Sequence, residues 1–235
     1  AVFNMALTIL SLATVTEMCS VALWREDRIV VEHQRLLGAK HAEKLLPMVA
    51  AVMEEGGLNF GDLDKIAVAK GPGSFTGIRI GIAAARGLAL AASKPLLGVN
   101  SLEAIAYGVC SPGRAVLAVL DAKRGQIYAQ SFSADCCSLG PPLVLAPADV
   151  GRLLLHGDYT VAGTGLHLVR PYLLELMGDK VRFVFDETKG LPRASDVARA
   201  GNCRKAHVSD TQEATPIYLR PPDAVPSPVN NSDGQ

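Results

Sequence analysis

The sequence has no surplus of either charge: 23 Lys and Arg balance 23 Asp and Glu over 235 residues. The balance is local as well, with 10 of each sign in residues 1–110 and 13 of each in residues 111–235. The basic face of a stand-alone nucleic-acid binder is therefore missing. Aromatic residues are only 5% of the chain, which also argues against a base-stacking platform. Five cysteines (Cys19, Cys110, Cys136, Cys137, Cys203) occur without CxxC spacing. An odd count so spaced fits neither a zinc ribbon nor a disulfide framework. They read as small buried or semi-buried thiols in a reducing cytosol, and the adjacent Cys136 and Cys137, a conceivable redox pair, would bridge only with strain. No run reaches the ~18 apolar residues of a membrane span. The apolar stretch 6–15 has no Lys or Arg before Arg25, so it lacks the basic region of a signal peptide. It reads as a buried strand of a cytoplasmic protein. Met5 is a candidate natural start, residues 1–4 then being an extension.

Signatures of hydrolysis are lacking too. There is no HExxH, and the five histidines (His33, His41, His156, His167, His207) show no i, i+4 pairing of a metal site. No GxSxG elbow occurs, because Ser74 lies in GPGSFTG with Gly73 directly before it.

What is present is ample core material, 49% hydrophobic residues in a length that suits one large domain or two lobes. Three β-rich runs open the chain at Leu7–Thr14, Met18–Trp24 and Arg28–Gln34, linked by short polar turns. A helix follows at His41–Glu55, interrupted by Pro47 and ended by Gly56-Gly57. Next come a strand (Lys65–Ala69), a helix (Thr76–Ser93), a strand (Pro95–Val99) and a helix (Ser101–Val109) expected to be capped by Ser101. Ser111-Pro112-Gly113 punctuates the chain. Strands Ala115–Ala122 and Gln126–Ser133 then form a hairpin, followed by helix Ala148–His156, strand Tyr159–Ala162, helix His167–Met177, strand Val181–Phe185 and helix Ser195–His207. Two halves that each open on a hairpin hint at duplication. The division is 1–111 for the first lobe and 112–220 for a smaller second one. The Pro-rich tail 221–235 is expected to be disordered.

The most informative stretch is GPGSFTGIRIG, Gly71–Gly81. It follows a strand and opens a helix, a junction that often presents free backbone donors to an anion. It matches neither a Walker A loop nor GxGxxG. Gly71 and Gly73 permit positive φ or close approach, and Ser74 or Thr76 can cap the helix. Gly77, Gly81 and Ala85 make a flat stripe, suited either to the protein's own sheet or to another helix.

This stretch strongly resembles the signature of the TsaB (YeaZ-like) family of tRNA threonylcarbamoyladenosine biosynthesis. HAEKLLP (His41–Pro47), VNSLEAIA (Val99–Ala106), LDAKRGQIYAQ (Leu120–Gln130) and TPIYLRPPDA (Thr215–Ala224) resemble further blocks of that family, in the same order. The resemblance implies an α/β fold of two ribonuclease-H-like lobes of the actin/Hsp70/sugar-kinase (ASKHA) type, the second abbreviated. It implies a non-catalytic scaffold or activator that forms a heterodimer with a catalytic TsaD-type subunit. That subunit would bring ATP and metal, this chain having no cofactor of its own. A TsaE-type ATPase joins them, tRNA is met indirectly, and no membrane is involved. Without a partner, a homodimer through the same helices is the fallback. The pairing helices correspond to His41–Glu55 and Thr76–Ser93. The expected interface residues are His41, Leu45, Met48, Gly77, Arg79, Gly81 and Ala85, with Arg79 and Arg86 setting partner choice by charge. One departure stands out. Many relatives carry Asp where this chain has Ala13, and alanine cannot hold a metal. This weakens the alternative, an independent ATP-dependent enzyme of the same fold. Asp121, Lys123 and Arg124 read as either a residual anion contact or a solvated hairpin turn.

Overall fold

A computed structural model describes residues 7–38, 40–188, 190–203 and 214–220. Residues 1–4, the tail 221–235 and the last part of the expected helix to His207 lie outside the described residues. The first sheet comprises β1 (Thr8–Ala13), β2 (Met18–Arg25), β3 (Arg28–Leu36), β4 (Lys65–Ala69) and β5 (Leu96–Val99). Its order is β3-β2-β1-β4-β5, an antiparallel meander with two strands added in parallel. Glu26 and Asp27, both at positive φ (52° and 59°), form the tight turn between β2 and β3, a geometry that matches strand twist. The second sheet comprises β6 (Ala115–Lys123), β7 (Gln126–Phe132), β8 (Leu143–Leu145), β9 (Gly157–Ala162) and β10 (Val181–Asp186), ordered β10-β9-β6-β7-β8. This repeats the first sheet strand for strand, with the same parallel and antiparallel pairings. The duplication hinted at by the hairpins is therefore a duplication of topology.

Among the described residues five α-helices cover the sheets: α1 (His41–Glu55), α2 (Phe75–Ala92), α3 (Ser101–Val109), α4 (Leu166–Leu176) and α5 (Ala194–Cys203). β1 and β4 are buried along their whole length, as strands covered on both faces must be. Alternation along β4 shows the two coverings. Val68 faces Gly81 of α2, and its neighbour Ala67 faces Gly201 of α5. α1 packs beside α2 over β2 and β3.

The helices do not follow a division at residue 111. α3, assigned to the first lobe, buries Leu102, Ile105 and Ala106 against Val116, Leu120 and Phe132 of the second sheet. α5, assigned to the second, packs on β1, β2 and β4 of the first. The two helices thus cross between the lobes and touch each other, Asp196 lying 2.9 Å from where a Cβ on Gly108 would stand. An amphipathic helix carries an apolar face but no address, so sequence could not say which sheet it covers.

Three further elements differ from expectation. α3 is capped by Asn100, whose side chain accepts from the Leu102 N–H at 2.9 Å, and Ser101 is a buried first-turn residue. The helix expected at 148–156 is a 3₁₀ segment, Pro147–Leu153, led by a proline. β8, three residues long, was too short to read from alternation. The abbreviation of the second lobe therefore lies in its helices, while its sheet keeps all five strands.

α5 is anchored by side chains from three strands. Ser11 Oγ donates to the Ala194 carbonyl at 2.8 Å, and Ser20 Oγ accepts the Ala194 N–H at 3.0 Å. Glu32 Oε1 accepts from Ser20 Oγ (3.1 Å) and from the Ser195 N–H (2.9 Å), placing a carboxylate at the positive end of the helix. Glu32→Ala should cost about 1–3 kcal/mol by leaving these donors unsatisfied. A lowered melting temperature, with faster hydrogen exchange in α5 than in β4, would show it. An unchanged melt would mean that the helix is held by apolar packing alone.

Candidate functional site

Every glycine of GPGSFTGIRIG is required by a close approach inside the chain. Gly71 (φ +100°) faces the Ile217 carbonyl, where a Cβ would stand 2.7 Å from oxygen. A Cβ on Gly73 (φ +157°) would meet the Val15 carbonyl at 2.3 Å, and one on Gly77 the Thr14 carbonyl at 2.0 Å. On Gly81 it would meet Thr14 Oγ1 at 2.3 Å. Thr14 Oγ1 in turn donates to the Gly77 carbonyl at 2.7 Å, and the Ser74 N–H donates to Val15 at 2.7 Å. Ser74 caps α2 by accepting the Gly77 N–H at 3.2 Å. The start of α2 is thus pressed onto the turn after β1. Two backbone donors of the junction, the N–H groups of Ser74 and Gly77, are thereby used inside the chain.

This geometry corrects the expected interface residues. His41, Leu45, Met48, Gly77, Gly81 and Ala85 are all buried within the chain, as is Met53. Of the expected set only Arg79 is exposed. Sequence spacing identified the stripe correctly, but the stripe faces the protein's own sheet. Arg79 and Arg86 are also used internally. The Arg79 guanidinium lies 3.8 Å over the Phe75 ring and its Nε donates to the Tyr218 hydroxyl at 3.2 Å, while Arg86 reaches the Ala214 carbonyl at 3.5 Å.

The opposite side of α2 is exposed and carries few large side chains beside Thr76, Arg79 and Arg86. Ala83, Gly87 and Ala91 are exposed, Leu90 is 83% exposed, and open space surrounds the position of a Gly87 Cβ. Leu46, Pro47 and Ala50 of the neighbouring α1 are exposed as well. Among the described residues α2 is the one helix long and apolar enough to cross a membrane by length and composition, yet a third of it is buried inside the chain. One side is committed to the sheet, and on the other the small residues Ala83, Gly87 and Ala91 permit close approach of a further helix.

A cavity of about 750 Å³ separates the lobes, lined by the turn after β1, the start of α2 and the β6–β7 hairpin. Ala13 is buried in the core and does not line it. At the hairpin, Lys123 Nζ donates to Asp121 Oδ2 at 2.9 Å and the Lys123 N–H to Oδ1 at 2.7 Å. Burial pushes the Asp121 carboxyl up, but these two bonds outweigh it and hold the group below its ordinary value. Lys123 is thereby occupied by its neighbour, which favours the hairpin-turn reading over an anion contact. The segment 214–220 crosses the cavity mouth. Its Ile217 N–H donates to the Lys70 carbonyl at 2.8 Å, Tyr218 packs on Phe75 at 4.8 Å, and Arg220 donates to the Ala122 carbonyl at 2.8 Å. This strap ties the first sheet to the second and was not foreseen as a structural element. Its contacts join residues more than 90 positions apart, which no local pattern records.

Residues 33–143 match the family model described as TsaD: tRNA N6-adenosine threonylcarbamoyltransferase. The chain is 36% identical over 223 residues to the tRNA threonylcarbamoyladenosine biosynthesis protein TsaB of Escherichia coli, covering 90% of this chain and 94% of that one. Its structure superposes on YeaZ from Pseudomonas aeruginosa with a TM-score of 0.76 at 32% identity, over 91% of this chain and 100% of the other. The activator of the 2-hydroxyisocaproyl-CoA dehydratase from Clostridium difficile shares the fold alone (TM-score 0.51, 9% identity, 88% and 96% covered). Two sheets of repeated topology with crossing helices, and this identity along nearly the whole length, place the protein in an actin-like ASKHA fold and make it a member of the TsaB family of tRNA threonylcarbamoyladenosine biosynthesis proteins.

Proposed function

We propose that this chain is the non-catalytic scaffold of a tRNA threonylcarbamoyltransferase, docking through the outer face of α1 and α2 onto a TsaD-type subunit. The observation that carries the reading is the two-sidedness of α2, whose inner stripe is spent on the sheet while Ala83, Gly87 and Leu90 remain bare. Such a face loses its exposure when helices of a partner pack on it. The alanine at position 13, which cannot hold a metal, supports a role without ATP chemistry of its own. ATP and metal then belong to the partner, and a TsaE-type ATPase completes the assembly in the cytoplasm. Neutral net charge supports indirect contact with tRNA, the partner supplying most phosphate contacts. In isolation the same bare face supports a homodimer.

An omission assay tests the role. The TsaD-type and TsaE-type partners are combined with threonylcarbamoyl-adenylate synthase, ATP, threonine, bicarbonate and unmodified tRNA, with and without this chain. Product should fall to background on omission. Unchanged product would sink the accessory role, and Mg-dependent ATP turnover by the isolated chain would then favour an independent enzyme.

A further inference from the structure

Three of the five cysteines, Cys110, Cys136 and Cys203, distant in sequence, converge on one junction. Cys110 ends α3, at the passage from the first lobe to the second. Its thiol donates to the Ala134 carbonyl at 3.3 Å, in the turn that follows β7. From that same turn Cys136 reaches back, its thiol donating to the Ala106 carbonyl of α3 at 3.6 Å. The two side chains therefore cross the same gap in opposite directions, each bonded to the other's segment. The turn is held rigid: the Cys136 N–H donates to the Ser133 carbonyl at 3.0 Å, and the Ser133 N–H to the Cys137 carbonyl at 2.8 Å. Cys136 takes a positive φ of 57°, uncommon outside glycine, and this conformation aims its side chain at α3 while the neighbouring Cys137 stays exposed. Cys110 is exposed and Cys136 buried, so one thiol meets solvent and the other waits behind it. Cys203, at the end of α5, stands near the same cluster beside Tyr107.

We propose that Cys110 and Cys136 form a redox modification site, an oxidisable dithiol that closes to a disulfide and fastens α3 to the turn after β7. A peroxide is the oxidant. The exposed Cys110 thiolate attacks one peroxide oxygen, the O–O bond breaks, and after proton uptake one water leaves a sulfenic acid on Cys110. The Cys136 sulfur then attacks that sulfur, the S–S bond forms as the S–O bond breaks, and the proton of the Cys136 thiol passes to the departing hydroxide, which leaves as a second water. Two thiols are oxidised by two electrons and the peroxide is reduced. Burial pushes the Cys136 thiol well above its ordinary range, so it is protonated at neutral pH and the solvent-facing Cys110 reacts first.

The test uses the full-length chain, reduced and then treated with a slight excess of hydrogen peroxide. Free thiols should fall from five to three, the intact mass should drop by two hydrogens, and dithiothreitol should reverse both. A non-reducing peptide map should join the segment holding Cys110 to that holding Cys136. Cys137→Ser should keep the cross-link, while Cys136→Ser and Cys110→Ser should each abolish it. The closed loop constrains the unfolded chain, so the oxidised form should melt roughly 5–10 °C higher. Cys110→Ser replaces an exposed side chain and keeps the fold, which covers the case in which the buried Cys136→Ser is unstable. A Cys110–Cys203 link, an intermolecular dimer, or loss of two thiols in the Cys110→Ser chain would each overturn the proposal.

Discussion

Gly87→Trp should abolish binding of the TsaD-type partner while leaving this chain folded. Gly87 sits mid-helix on the bare side of α2, and nothing stands within 4 Å of the position its Cβ would take. Adding a side chain there should help the isolated helix, since glycine is the poorer helix former by about 0.5 kcal/mol relative to tryptophan. In a close-packed helix pair the same ring would hold the helices apart. Losses of about 3 kcal/mol or more at the centre of an interface are usual for such a block, which is a drop in affinity of over ~100-fold. Modified nucleoside in the complete assay should fall in parallel. Titration calorimetry against the partner, with a melting curve of the variant alone, separates a docking defect from a folding defect. Tight binding by a normally folded Gly87→Trp chain would mean that the partner sits elsewhere.

The second large effect has the opposite character. Gly77→Ala adds one methyl group, yet that carbon would stand 2.0 Å from the Thr14 carbonyl oxygen and 3.1 Å from its carbon. Both atoms are backbone, so no rotamer change relieves the clash, and either α2 or the end of β1 must move. Overpacking of this kind costs about 3 kcal/mol or more, roughly 6–12 °C of melting temperature for a chain of this size. Gly87→Ala is the matched control, because the same methyl group in open space should stabilise by about 1 kcal/mol. Opposite signs at two glycines ten residues apart on one helix would establish which side of α2 is committed to the fold. A harmless Gly77→Ala would mean that the helix does not press on the β1 turn as closely as described. Gly81, facing Thr14 Oγ1 and Val68, belongs with Gly77. A bulky group there would unfold the chain rather than probe a partner surface.

These two glycines also show where sequence reading stopped. The spacing of Gly77, Gly81 and Ala85 identified a face of α2 made for close approach. It could not distinguish approach by another molecule from approach by β1, since both require a surface without side chains. The convergence of Cys110, Cys136 and Cys203 was likewise illegible, because the fold joins an interlobe passage, a turn and the end of a returning helix. The anchoring of α5 by Ser11, Ser20 and Glu32 joins positions more than 160 residues apart.

The sequence by itself determined most of the local elements, because hydrophobic period, glycine, proline and cap residues act over a few residues; it missed the short β8 and the 3₁₀ character of Pro147–Leu153. It also determined family membership, through motif blocks whose order is a linear property. The tertiary structure alone decided which helix covers which sheet, which side of α2 is left bare, and which thiols meet. Those are outcomes of long-range packing, in which many apolar faces compete for the same surfaces and only the closed, fully covered arrangement decides among them.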